Sequence, residues 1–173
     1  AGASPTAANA SGNTPLHHAC QAGAADLVAA LIAAGASADA ANGDGDTPFL
    51  LCCFGGHLEV AQGLHAKGHV AGPAQLERCN GMGCSALLQA CAMGHLEVAS
   101  WLLPMAPSLL ERGDFEGETP LVYACAHGQA EVAEWLLGQG AKPTQQAVEA
   151  SKAYSEVHRL MKKAAKRAAE GAG

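Results

Sequence analysis

The sequence predicts an all-α solenoid, in which pairs of short helices stack in a row. A ten-residue phrase that begins with Thr or Ser recurs four times, starting at positions 14, 47, 85 and 119. A second landmark, an acidic residue followed by an apolar one, recurs with the same spacings at 26–27, 59–60, 97–98 and 131–132. One helix pair of this length cannot bury its apolar side alone, so each pair must pack against neighbouring copies.

The first helix of each pair is expected to begin at the recurring phrase. Thr14, Thr47 and Thr119 can accept an N-cap hydrogen bond, and each is followed by proline, which is tolerated at the first helical position. Ser85 keeps the cap without the proline. Each helix should end at a glycine, where positive φ is often required. These glycines are Gly23, Gly56, Gly94 and Gly128.

The second helix of each pair carries apolar residues at i, i+4 and i+5, which predicts one buried stripe. The clearest stripes are Leu27, Leu31 and Ile32; Val98, Leu102 and Leu103; and Val132, Leu136 and Leu137. Gly35, Gly68 and Gly140 are expected to end three of these helices. In the third copy Pro104 should end the helix, because the residue before a proline avoids the helical conformation.

Turn-rich links connect successive helix pairs. They read "NASGNTP", "NGDGDTP", "NGMGCS" and "DFEGETP", and each begins with Asn or Asp and has Gly three residues later. That pattern is typical of a tight chain reversal. The third and fourth links, which begin at Asn80 and Asp114, share a longer lead-in, "PAQLERCN" and "PSLLERGD". This places the extra length of the second repeat between Val60 and Pro73.

The C-terminal segment is expected to cap the stack. Val157, Leu160 and Met161 continue the apolar stripe, but no turn-rich link precedes them. A terminal repeat has one neighbour and must present a polar outer face. Basic residues supply that face: Lys152, Arg159, Lys162, Lys163, Lys166 and Arg167. The last helix is expected to fray at Gly171.

Charge is distributed unevenly along the chain. Residues 1–141 carry 13 acidic and 3 basic side chains, whereas residues 142–173 carry 3 acidic and 7 basic ones. An acidic body argues against nucleic-acid binding, which needs Lys and Arg on phosphates. No apolar run approaches the roughly 20 residues of a membrane span, and the first ten residues show no signal-peptide pattern. We expect no nucleic-acid or membrane partner.

Four of the seven cysteines occupy one column of the recurring phrase: Cys20, Cys53, Cys91 and Cys125. Such a column is typical of small buried packing residues. A disulfide needs Cα atoms about 5.5 Å apart, whereas packed helices stand roughly 8 to 10 Å apart. We therefore expect free thiols in a reducing, cytoplasmic compartment, with the nucleus and organelles left open.

The sequence contains no convincing catalytic constellation. His17 and His18 lie near Cys20, but the column places Cys20 in the core, where it cannot act as a nucleophile. No Gly-rich phosphate loop and no nucleophile elbow is present. We therefore predict a protein that is not an enzyme and that carries no cofactor.

The best metal candidate combines Cys79 and Cys84 with His57 and with Cys52 or Cys53. The spacing between Cys79 and Cys84 is wider than that of the usual zinc-binding pairs. We therefore predict no bound metal, and exposed thiols at Cys79 and Cys84.

The phrase T-P-L-H-x-A-x-x-x-G, the following V-x-x-x-L-L and G-A, and the period near 33 residues resemble the ankyrin-repeat family. The resemblance covers about residues 9–161. It implies a single domain over 1–173, with a β-turn finger and two antiparallel helices per repeat. The implied repeats are about 9–41, 42–79, 80–113 and 114–143, followed by a helical cap at 144–173. His17 keeps the family histidine, and Leu50, Leu88 and Val122 replace it elsewhere.

The resemblance also implies a non-catalytic module that binds a protein partner through its concave face, at the finger tips and the first helices. That surface includes Asn13, Gln21 and Ala92. Ten positions on it are singled out as partner-binding candidates: Asp44, Asp46, Phe54, Met82, Met93, Phe115, Glu116, Glu118, Tyr123 and His127. Their chemistry favours an acidic groove with an apolar centre that takes a basic, amphipathic segment. Alternatively, the acidic finger residues only satisfy turn preferences and maintain solubility.

Two other functions remain open at this point. The chain could be a fixed structural subunit of a larger assembly, with its basic tail as an extra contact. It could instead be a regulatory subunit that blocks or positions an enzyme. We expect a monomer unless the chain is part of such a complex. The fold alone does not choose among these functions.

Overall fold

A computed structural model describes residues 6–70 and 72–170 of the chain. The predicted fraying at Gly171 and the last three residues of the implied cap lie outside the described residues. In chain order the α-helices are α1 Pro15–Gln21, α2 Ala25–Ala33, α3 Pro48–Phe54, α4 Leu58–Ala66, α5 Pro73–Leu76, α6 Ala86–Met93, α7 Leu96–Leu102, α8 Pro120–Ala126, α9 Ala130–Gly138, α10 Gln145–Ala150 and α11 Ser155–Glu170. Short 3-10 helices span Pro107–Leu110 and Ser151–Ala153.

The helices stack in two layers. The first helices pack in a row, with α1 against α3, α3 against α6, α6 against α8, and α8 against α10. Each second helix packs on its own first helix, as α2 does on α1 and α9 on α8. This arrangement confirms the predicted all-α solenoid.

Small residues let the first helices approach closely. Ala19, Cys52, Ala90 and Ala124 occupy one buried column of the phrase. Cys20, Cys53, Cys91 and Cys125 form the next column and are fully buried, which confirms that they are packing residues. All seven cysteines are free thiols.

Side-chain caps form at two of the four first helices. The hydroxyls of Thr47 and Ser85 accept hydrogen bonds at 3.3 Å from the backbone N–H groups of Leu50 and Leu88. The Thr14 hydroxyl instead lies 2.8 Å from Nδ1 of His17. Thr119 makes no side-chain cap, so that prediction is wrong at this helix.

The glycines that end the first helices meet two requirements. Gly56 has a φ of +74°, which confirms the predicted left-handed conformation. A Cβ atom at Gly56 would also lie 2.5 Å from Nδ1 of His95 in the next repeat. Gly23, Gly94 and Gly128 face the side chains of His57, Gln129 and Tyr154 in the same way. Because glycine has no Cβ atom, this column leaves space for a side chain of the following repeat, which packs against the end of the first helix.

The prediction of a buried stripe on the second helices is wrong at its first residue, Leu27. Leu27 is 51% exposed, whereas Val28 beside it is buried. The equivalent residues Val60, Val98 and Val132 are all buried. They lie in repeats that pack between two others, whereas the repeat of Leu27 is the first among the described residues. Leu27 was therefore wrongly predicted to be buried.

Each turn-rich link forms a finger that begins at Asn9, Asn42, Asn80 or Asp114. In the second finger, the Asn42 carbonyl accepts from Gly45 N–H at 3.0 Å, and Asn42 Oδ1 accepts from the N–H groups of Asp44 and Asp46. Backbone hydrogen bonds join successive fingers, from Gly43 to Ser11, from Gly81 to Asp44, and from Phe115 to Met82. The fingers therefore form a ladder along one edge of the stack.

The C-terminal helices close the other end of the stack. Val157 and Met161 are buried and Leu160 is half-buried, as the stripe predicted. Only a short loop connects Gly140 to Thr144, the residue that caps α10. The basic residues of α11 are exposed, and Lys152 pairs with Glu149.

Candidate binding groove

A groove of about 400 Å³ runs along the edge where the fingers meet the first helices. Its finger side is formed by Asn13, Asn42, Asp44 and Asp46. Its helix side is formed by residues of α1, α3, α6 and α8, so the groove extends across four successive repeats. We call this feature the groove.

The groove residues of the helices lie three or four positions apart, which places them on one helical face. In α3 they are Leu51 and Phe54; Tyr123 lies in α8, and His127 directly follows that helix. In α6 they are Gln89, Ala92 and Met93, and α1 contributes Gln21. The two columns of small packing residues lie at other positions of the same helices.

The structure places six of the ten candidate residues in the groove. These are Asp44, Asp46, Phe54, Met93, Tyr123 and His127. The other four, Met82, Phe115, Glu116 and Glu118, belong to the third and fourth fingers and do not line it. Met82 is 64% exposed and Phe115 is 75% exposed. The candidates therefore divide into a groove set and a finger-tip set.

Asp46 holds three repeats together as well as lining the groove. Its Oδ1 accepts hydrogen bonds from Asn80 Nδ2 at 2.9 Å and from Gln89 Nε2 at 3.0 Å. Its backbone carbonyl accepts from Nε2 of His17 at 3.1 Å. Replacement of Asp46 would therefore disturb the stack together with any ligand contact.

Tyr123 joins the last two fingers from inside the groove. Its hydroxyl donates to Asp114 Oδ2 at 2.8 Å and lies 3.2 Å from Cys84 Sγ. Burial, followed by the neighbouring Cys84 and Asp114, raises the pKa of Tyr123, so the phenol stays protonated and remains a donor. The ring also stacks on His127, with centroids 6.0 Å apart.

Tyr123 replaces a bond that the other fingers make with an amide. Asn42 Nδ2 donates to Asn13 Oδ1 of the previous finger at 2.9 Å, and Asn80 donates likewise to Asp46. Asp114 occupies the equivalent position but has no side-chain N–H to donate. The Tyr123 hydroxyl therefore bridges the third and fourth fingers, because it donates to Asp114 and its oxygen can accept from the Cys84 thiol.

The thiol of Cys84 is buried, which corrects the expectation of an exposed thiol at this position. The position follows the turn of the third finger and points toward Tyr123 of the next repeat. Burial raises its pKa above the ordinary thiol value. Cys79 is half-buried.

The groove is negatively charged. Asp44 is exposed at its rim, and the residues lining it within the described part of the chain include no Lys or Arg. Two of the three basic residues in the first 141 positions are already paired. Arg78 lies 3.6 Å from Asp39, and Arg112 lies 3.6 Å from Glu77. The acidic potential of the groove is therefore not balanced locally.

Sequence reasoning missed Gln89 and Leu51 as groove residues. They occupy the same column of the phrase as Tyr123, which was identified, so this column was the available signal. Gln89 is only 9% exposed, and its Oε1 has no hydrogen-bond partner among the described residues.

The residues that could suggest catalysis are buried in the stack. His17 and Cys20 are both inaccessible, and the His17 ring is held by Thr14 and Asp46. Burial raises the pKa of the Cys125 thiol to about 12, so this cysteine is not a thiolate nucleophile.

Cys52 and Cys53, which belong to the metal candidate, are also buried in the core. Within residues 6–70 and 72–170, no group of three or more His, Cys, Asp or Glu side chains could hold a metal ion. In the same part of the chain, no helix is both long enough and apolar enough to cross a membrane.

Comparison with known families gives one result. A family model of ankyrin repeats, which contains three copies, matches residues 1–75 and again residues 70–147. Together the two matches extend over most of the chain. No curated protein matches the sequence.

Proposed function

We propose that this chain, which belongs to the ankyrin-repeat family, is a non-catalytic module that binds a basic segment of another protein in the groove. Ankyrin repeats are in general protein-binding modules, so a protein is the expected class of ligand. The observation that carries the proposal is an acidic groove, with no lining Lys or Arg among the described residues, that exposes large apolar side chains.

The apolar part of the groove supports the proposal through Phe54 and Met93. They are 38% and 42% exposed although both lie on helices whose other side is core. Aromatic anchors in a concave, partly desolvated site are typical of binding hot spots. Methionine adapts its shape to different partners. Both side chains gain buried area only when another molecule covers them.

The charge of the groove supports a basic partner. Asp44 at the rim makes no side-chain hydrogen bond or ion pair with the described residues, so its carboxylate is available. Complementary charge of this kind raises the association rate and selects against acidic segments. Because exposed charges are screened by salt, binding should weaken as ionic strength rises.

A non-catalytic role agrees with the chemistry of the groove. Its polar side chains are largely engaged in holding the fingers, as Asp46 and Tyr123 show. No nucleophile with an adjacent base lines it among the described residues. We also propose a reducing, cytoplasmic location, because every cysteine is a free thiol and six are buried where they serve packing.

The test is selection of peptides from a random display library on the purified full chain. We expect the enriched peptides to combine a net positive charge with at least one large apolar residue. The affinity of a selected peptide is then measured for the double variant Phe54→Ala, Met93→Ala. Loss of two anchors should weaken binding at least tenfold, or about 1.4 kcal/mol.

The chain offers a matched control in its own finger-tip set. The double variant Phe115→Ala, Met82→Ala removes the same two residue types at more exposed sites outside the groove. It should change the affinity by less than twofold. A larger loss in this control than in the groove variant would place the binding surface at the fingers and contradict the proposal.

Charge is tested by Asp44→Lys against Glu97→Lys. Both residues are exposed and both changes alter the net charge equally, but Glu97 lies on a second helix, away from the groove. Asp44→Lys should slow association with a selected peptide several-fold at low salt, and Glu97→Lys should not. Equal effects would show that only the overall charge matters.

A further inference from the structure

We propose that the floor of the groove binds an arginine side chain of the bound segment, with Gln89 as the acceptor that selects it. This inference rests on the proposed function, because it names the anchor of the same basic ligand. It goes beyond charge complementarity by assigning one residue type to one position.

The first observation is an unsatisfied acceptor. Gln89 is 9% exposed, and its Nε2 donates to Asp46 Oδ1 at 3.0 Å, which fixes the orientation of the amide. Its Oε1 is buried and has no hydrogen-bond partner among the described residues. A buried acceptor without a partner is unfavourable, and an entering donor would relieve that penalty. The ligand group must therefore carry N–H or O–H donors.

The second observation is the negative charge in the groove that Gln89 lines. Asp46 is its direct neighbour and lines the groove, and the exposed carboxylate of Asp44 lies at the rim of the same groove. Amide and carboxylate oxygens are acceptors only. A neutral donor would satisfy Oε1 but would leave this charge unbalanced, so the ligand group should be cationic.

The third observation is the aromatic content of the groove, which favours a guanidinium over an ammonium. Phe54 and Tyr123 line it from α3 and α8, the two first helices that pack against α6. A guanidinium is planar, stacks on aromatic faces and presents five N–H donors in a fixed fork. An ammonium is compact and more strongly hydrated, so it loses more on entering a partly desolvated floor. Arginine therefore fits all three features.

Met93 lies four residues after Gln89 on α6 and is therefore next to it on the helix surface. Met93 is 42% exposed, and its side chain has three rotatable bonds. In the proposed complex this side chain rotates away from Gln89 Oε1 while the backbone stays in place. The long side chain of arginine can then reach the floor while its own backbone stays at the rim.

The test uses three small probes rather than an unidentified partner. The ¹⁵N-labelled full chain is titrated with N-acetyl-arginine amide, N-acetyl-lysine amide and N-acetyl-citrulline amide, and NMR shifts are followed. The arginine probe should shift the side-chain NH2 signals of Gln89 together with the backbone signals of Phe54 and Met93. The lysine probe should bind at least threefold more weakly. The citrulline probe keeps donors without charge and should bind at least tenfold more weakly.

The variant Gln89→Leu removes the acceptor and keeps the fold, because Leu51 occupies the same column in the second repeat. It should weaken the arginine probe at least fivefold. The control Glu97→Gln removes an exposed carboxylate outside the groove and should leave the affinity unchanged. The amide spectrum of each variant reports folding independently of binding.

Equal binding of the arginine and lysine probes, or an undiminished affinity in Gln89→Leu, would overturn the inference. Failure of the inference and of the proposed function can be distinguished. If display-selected peptides bind the groove but the arginine probe does not shift Gln89, only the arginine anchor is wrong. If neither binds the groove, the proposed function fails as well.

Discussion

Polar side chains at equivalent positions connect each repeat to the one before it. Nε2 of His57 donates to the carbonyl of Gln21 at 2.9 Å, and His95 does the same to Phe54. In the fourth repeat Gln129 takes this role and donates to the carbonyl of Ala92 at 3.0 Å. These bonds satisfy carbonyls near the ends of the first helices, which would otherwise lack partners. Single residues thus secure the geometry of the groove.

His17 is a buried titratable residue at the contact between the first two repeats. It is fully buried, its Nδ1 accepts from the Thr14 N–H at 3.1 Å, and its Nε2 donates to the Asp46 carbonyl. Burial lowers its pKa below the ordinary value of 6.5, despite the opposing effect of the Asp46 carbonyl. The folded protein therefore holds His17 neutral.

The lowered pKa of His17 predicts a loss of stability in acid. As pH falls through about 6.5, the unfolded chain takes up a proton on His17 that the folded chain does not, so the free energy of unfolding decreases. The loss should end below the folded-state pKa. Urea unfolding at pH 7.5 and 5.5 measures it in the wild type and in His17→Leu, which matches Leu50 and Leu88 of the other repeats.

His17→Leu should be less stable at pH 7.5, by about 1 to 3 kcal/mol, because the Asp46 carbonyl and Thr14 lose a partner. Its stability should fall less between the two pH values. The other seven histidines are common to both proteins, so the difference belongs to His17. Identical pH dependence in the two proteins would contradict the assignment.

At the scale of the helix, the second helices carry side chains of very different size at one equivalent position. Trp101 in α7 and Trp135 in α9 correspond to Gly63 in α4. The Trp101 ring packs near Phe49 and His65, with centroids 6.4 Å and 5.8 Å away. Gly63 contributes no side chain, and a cleft of about 220 Å³ remains between α2 and α4. The contact between the first two repeats is therefore thinner on this side.

Gly63→Ala should stabilise the protein by about 0.5 to 1 kcal/mol, because glycine is a poor helix former and the new Cβ meets no atom within 4 Å. The measurement is the midpoint of urea unfolding. Gly68→Ala is the control: its Cβ also enters open space, but its φ of +75° is strained for alanine. That variant should lose roughly 1 kcal/mol. If Gly63→Ala instead lowers the free energy of unfolding, the prediction that the cleft accommodates the new methyl group is wrong.

At the scale of the whole molecule, the two ends of the stack differ. The C-terminal end is closed by α10 and α11, whose Val157 and Met161 are buried. At the other end, α2 exposes Leu27. In a solenoid each repeat is stabilised mainly by its neighbours, so a residue's contribution depends on its position in the row.

The effect of position in the row can be measured by comparing Val98 and Leu27, which occupy the same position of their repeats. Val98→Ala, in the interior, should cost about 2 kcal/mol, because it removes buried methyl groups and leaves a cavity. Leu27→Ala removes more carbon atoms but should cost less than about 1 kcal/mol, since Leu27 is half in solvent. Denaturant unfolding of both variants measures the difference. Equal costs would mean that Leu27 is covered in solution by another part of the chain or by a second molecule.

Local features of the fold were predictable because their causes lie within a few residues. The glycines that end the first helices, the Asn and Asp residues that close the fingers, and the alternation of helix pairs all depend on short-range sterics and hydrogen bonds. Within the candidate site, the exposed Phe54 and Met93 followed from their place in the repeated phrase. The regular spacing of the repeats then predicted the order in which they stack.

The sequence by itself therefore determined the repeating unit, the order of the units and the buried columns between them, since near-copies must solve the same packing problem. Only the tertiary structure decided which polar side chains meet across the repeats. The burial of Cys84 beside Tyr123 and the hydrogen bond from Gln89 to Asp46 depend on residues 39 and 43 positions away in the chain. The exposure of Leu27 depends on its place in the first of the described repeats. The physical reason is that a solenoid brings together equivalent positions of neighbouring repeats, and each meeting depends on the side chains that occupy those positions in both.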